Sequence, residues 1–82
     1  MTNFKVGDKI QSLYYGIGIV VKVHTDTSVR VDGFTNSLLR PVYWQDGTQY
    51  NPMNEKDYIK PLGTTATDKE LFPLIERLKR FE

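Results

Sequence analysis

The run GIGIVVKV, from Gly16 to Val23, restricts this chain more than any other stretch. Ile17, Ile19, Val21 and Val23 alternate with Gly18, Val20, Lys22 and His24. Side chains of an extended segment point alternately to opposite faces, so this period predicts a strand whose first set faces a core. Its neighbours read the same way. Gly7-Asp8 is a turn signal ahead of a short strand around Lys9 to Ser12, and Leu13 to Gly16 interrupt the pattern before the long run begins. After the polar turn HTDTS, Val29 and Val31 are expected inside and Arg30 outside, which completes a hairpin.

In LLRPVYW, Pro41 confines a further strand to an edge, an end or a bulge, because proline donates nothing to a ladder. Its inward face is either Leu38, Arg40, Val42 and Trp44 or Leu39, Pro41 and Tyr43. YWQDGTQY is the strongest local hairpin signal, with Asp46-Gly47 suited to a type I′ turn and a short returning strand that ends by NPMNEKD. Tyr58-Ile59 reads as a brief strand or helical turn before KPLG. The period then changes. Thr67 and Glu70 fit a capping box, and Leu71, Leu74, Ile75 and Leu78 recur at helical spacing. Pro73 places the regular part of that helix from about residue 73 onward and leaves Asp68 to Phe72 open. The division expected is a β barrel over 1–63 and a helix over 64–82, packed on the barrel or on a partner.

Eighty-two residues supply one core. The chain has no cysteine and a single histidine, His24, which excludes a disulfide framework, thiolate metal sites and a multi-histidine site. Eleven basic and ten acidic residues give a net charge of +1 without a basic run, which argues against a strong nonspecific nucleic-acid binder. MTNFKVGDK lacks the apolar stretch of a signal peptide and IGIVV is too short to span a bilayer, so a cytoplasmic protein with no membrane partner is expected.

The segment FKVGDKIQSLYYGIGIVVKV carries a resemblance, through Val6-Gly7-Asp8, Ile10, Tyr15-Gly16-Ile17-Gly18 and Val20 to Val23. It resembles the start of small SH3-like or Tudor-like barrels in the carboxy-terminal domain of UvrD/PcrA helicases, in the polymerase-interacting domain of the CarD family and in short phage and mobile-element proteins. The resemblance implies a mainly β fold, a small SH3-like/Tudor-like barrel, here with a C-terminal helix. It also implies a domain that contacts proteins, such as an accessory protein of a phage or mobile element, and in some cases nucleic acid.

Aromatic residues are abundant, and the candidates for a protein interface are Tyr14, Tyr15, Tyr43 and Trp44. The alternative is a nucleic-acid surface built on Lys22, Arg30 and Arg40. A third reading is a structural subunit of a larger assembly, with self-association through the terminal helix. Asp8, Asp26, Asp32, Asp46 and Asp57 supply carboxylates, but no nucleophile, base and orienting group form a recognisable set. The expectation is a noncatalytic module without cofactor or metal.

Overall fold

The alternating run becomes the longest strand, β2 (Gly16–His24), flanked by β1 (Asp8–Ser12) and β3 (Ser28–Asp32). β4 (Val42–Trp44), β5 (Ile59–Thr65) and the helix α1 (Asp68–Phe81) complete the chain. The computed structural model describes residues 4–24, 27–50 and 56–81. The turn positions Thr25 and Asp26, and the stretch 51–55 where the returning strand is expected to end, lie outside the described residues. The strands form one antiparallel sheet in the order β4-β3-β2-β1-β5. Bridges from Tyr43 to Gln49 and from Thr48 to Tyr58 carry the pairing on from β4 to the start of β5, so the sheet closes into a small barrel.

A single alternation does not survive along β2. The β2–β3 register shifts between Val20 and Lys22, which is a bulge. Val20 and Val23 therefore belong to the barrel interior, with Phe4, Ile10, Val29, Val31, Phe34, Tyr43 and Ile59. Ile19 and Val21 are buried outside that cluster, where α1 packs on β2. Ile17, expected inside, is exposed. The long strand is buried on two faces, by the core on one and by the helix on the other.

Gly16 and Gly18 act differently. Gly16 has φ +84°, a conformation open to glycine, and a Cβ there would collide with the Thr35 hydroxyl. Gly18 has no such φ; a Cβ at that position would lie 2.7 Å from the Phe34 ring and 2.8 Å from Val31. The hairpin after Trp44 also departs from the expected type I′ form. Trp44 N–H bonds the Thr48 carbonyl and Gly47 N–H bonds the Trp44 carbonyl, giving a three-residue loop, Gln45 to Gly47, with Gly47 at φ +95°. The Asp46 side chain fixes it by accepting from the Thr48 N–H and hydroxyl.

β5 is longer than Tyr58-Ile59 predicts and runs through Pro61. Proline is tolerated because the register directs Lys60 toward Gln11 of β1, so the N–H that Pro61 lacks would have faced away from the ladder. The helix likewise starts at Asp68, five residues before Pro73. Its first turn is held by the expected box: Thr67 N–H donates to Glu70 Oε1 at 3.0 Å and Glu70 N–H to Thr67 Oγ1 at 3.3 Å. The helix docks on its own barrel. Arg77 makes a two-pronged contact with buried Asp32, at 3.1 and 2.5 Å, and Glu70 meets Lys9 at 3.0 Å. No helix among the described residues is long and apolar enough to cross a membrane.

Candidate partner-binding face

The surface of interest is organised from beneath by a carboxylate with no exposed area. Asp57 precedes β5, and its Oδ2 accepts from the Ser12 hydroxyl at 2.6 Å and from the Tyr43 hydroxyl. Its Oδ1 accepts the N–H groups of Leu13 at 3.0 Å and Tyr14 at 3.3 Å. Ser12 Oγ in turn accepts from the N–H groups of Tyr14 and Tyr15, at 3.1 and 3.0 Å. The end of β1, the turn after it, β4 and the entry to β5 are thereby tied at one point. Burial first, then the bond to Asp57, pushes the Tyr43 hydroxyl far above its ordinary pKa. Chemically this is a fastener, because every oxygen in it is already occupied by a neighbour.

Above the fastener, pairing registers arrange outward-facing residues in rows. Trp44 pairs with Thr48, Thr48 with Tyr58, and Tyr58 receives the N–H of Leu13. These four positions therefore share the outer side of the barrel, since directly opposed residues point to one face. The next row is Lys60, Gln11 and Ile17, on β5, β1 and β2. Large apolar side chains in and beside these rows are uncovered: Leu13 is 62% exposed, Tyr58 50%, Ile17 39% and, further along β5, Leu62 40%. Leu13, Tyr58, Lys60, Pro61 and Leu62 help line a groove of about 570 Å³ along the β1–β5 ribbon. Trp44 and Tyr50, edge to face with centroids 4.7 Å apart, extend the apolar surface at the other end of the first row.

The four aromatics read from sequence separate accordingly. Tyr43 is corrected: it is fully buried, its ring in the core and its hydroxyl on Asp57, so it offers a partner nothing. Tyr15 is turned to the core, its ring tilted against Phe34 at 5.3 Å. Tyr14 and Trp44 are exposed. Leu13, Tyr58 and Leu62 carry no signal of their own in a one-dimensional reading, because the groove that unites them joins strands some 45 positions apart.

Of the basic candidates, Lys22 and Arg30 are cross-strand partners. Arg30 donates from its guanidinium to the Arg40 main-chain carbonyl at 2.6 Å, so its charge is partly spent on holding the segment before β4. Among the described residues no group of three or more His, Asp or Glu side chains is placed to hold a metal. No family model matches the chain, and no curated protein or solved structure matches it either.

Proposed function

We propose that this protein is a noncatalytic protein-interaction module of the cytoplasm, binding its partner through the outer rows of the β1–β5 ribbon. One observation carries this reading. Leu13, Tyr58 and Leu62 are exposed together along one groove, with Ile17 beside it across Gln11, while the turn beneath them is locked by Asp57. Scattered apolar side chains on a surface need no explanation, but a contiguous patch around a groove is the usual mark of a docking site. Its rigidity lowers the ordering cost of association. An accessory role in a phage or mobile element, drawn from the resemblance of the Phe4 to Val23 segment, belongs to the same proposal.

The runner-up is a nucleic-acid module, favoured by the adjacency of Lys22 and Arg30 on β2 and β3. The two readings separate in paired assays. Affinity capture with the full chain, compared with Leu13→Asp and Trp44→Ala, is expected to lose one specific protein with the first variant at unchanged circular dichroism. Tight binding to single- or double-stranded nucleic acid that falls steeply with salt, and vanishes on neutralising Lys22 and Arg30, would overturn the ranking.

A further inference from the structure

Resting on the protein-interaction reading, the geometry points to the occupant: we infer that the partner presents an amphipathic helix, seated beside α1 across β5, β1 and β2, with a carboxylate directed at Lys60. The sheet already seats one helix in this way. Glu70 reaches Lys9 on β1 and Arg77 reaches Asp32 on β3. Seven residues of helix rise about 10.5 Å. Two strand spacings are about 9.6 Å. The axis of α1 therefore runs across the strands over Ile19 and Val21, with Leu71 against Gly7 and Leu74 against Gly33, and its flank lies on the row Lys9, Ile19 and Asp32, which are successive partners in the ladder.

The row Lys60, Gln11 and Ile17 is the next one on that same face, two residues further along β1. It lies about 6.7 Å from the covered row, with Leu13 and Tyr58 another step of about 6.7 Å beyond. Packed helices stand about 8 to 10 Å apart, so a second helix parallel or antiparallel to α1 falls on the first of these open rows, with Leu13 and Tyr58 along its far flank. The chemistry of the rows selects its side chains. In the covered row, the β1 lysine takes a glutamate from the helix. In the open row the charged residue is Lys60, at the β5 end, and Ile17 is at the β2 end, again two strand spacings away. The matching helix carries an acidic residue at position i, apolar residues at i+3 and i+4 over Leu13 and Gln11, and an apolar residue at i+7 over Ile17.

The test uses the full chain and a fluorescein-labelled alanine-based helical peptide of roughly 18 residues, long enough to hold its helix, with Glu at i and Leu at i+3, i+4 and i+7. A second peptide has Lys in place of that Glu. Fluorescence anisotropy is expected to show saturable binding of the Glu peptide, weakened about ten-fold or more by Lys60→Glu and abolished by Leu13→Asp. The Lys peptide is expected to recover affinity on the Lys60→Glu chain, the reciprocal response that a direct pair requires. Absence of peptide binding, or binding indifferent to both charge reversals, overturns the helix assignment. If Leu13→Asp still abolishes capture of the partner protein in that case, the interaction face stands and the occupant is of another kind. A concentration-dependent increase in mass that Leu13→Asp removes would place a second copy of this chain on the face and likewise overturn the assignment.

Discussion

Replacing Asp57 by Asn tests whether the face is held from beneath. The carboxylate accepts four donors, two hydroxyls on Oδ2 and two N–H groups on Oδ1. An amide of the same size keeps one acceptor oxygen. If that oxygen stays on Leu13 and Tyr14, the new NH₂ group confronts Ser12 Oγ, which already accepts two N–H groups, and the Tyr43 oxygen. Two hydrogen bonds to a charged group are lost, at about 1.5 to 3 kcal/mol each, and one neutral bond of about 1 kcal/mol is recovered. The net cost is roughly 2 to 5 kcal/mol. A chain of 82 residues has a total stability of roughly 4 to 12 kcal/mol. Asp57→Asn should therefore lower the urea midpoint by about 2 M or more, at a slope near 1 kcal/mol/M. Tyr43→Phe alone should cost about 1 to 2 kcal/mol, and markedly less once Asp57 is Asn, because the two changes break the same bond. An Asp57→Asn midpoint within about 0.5 M of the parent, or strict additivity of the two changes, would refute the reasoning.

Gly18→Val should destabilise the domain by about 1 to 3 kcal/mol, read as a fall in Tm, because its side chain enters space held by the Phe34 ring and Val31; an unchanged Tm would count against that close approach. Glu70 is the acid-sensitive fastening of the helix: bonds from Thr67, then Lys9, lower its pKa from 4.5 to about 2. A depressed folded-state value contributes stability that is complete above the ordinary pKa and lost as pH falls toward the folded one, so Glu70→Gln should flatten the decline in urea midpoint between about pH 5 and pH 2. Parallel pH profiles for parent and variant would sink that assignment.

What could be read from the sequence was local. β3, the hairpin at Asp46-Gly47, the Thr67–Glu70 cap and the mainly β class each depend on residues within a few positions of one another. The bulge after Val20 escaped because it arises from pairing with β3, and a single extra residue moves Val23 inside while leaving Ile19 and Val21 under the helix. Asp57 escaped because NPMNEKD reads as a solvated loop, and its burial is imposed by Ser12 and Leu13, 45 and 44 positions away. The choice between Tyr43 and Trp44 as the inward residue of β4 was open for the same reason. The register with β3, which sets Tyr43 opposite the buried Val29, and the bond to Asp57 decide that Tyr43 is the one enclosed.

The bond between Ser12 and Asp57 has a consequence for synthesis. Their separation of 45 residues means that, at about 5 to 20 residues per second, roughly 2 to 9 s pass on the ribosome between the two. During that interval β1 has β2 on one side and no partner on the other, since β5 is made only after Asp57. Ile19 and Val21 wait longer still, until α1 emerges after β5 to cover them. The nascent chain thus carries an unpaired strand and an uncovered apolar face until β5 and α1 have both emerged. A message truncated before that point would yield an adhesive ribbon in place of a smaller folded protein.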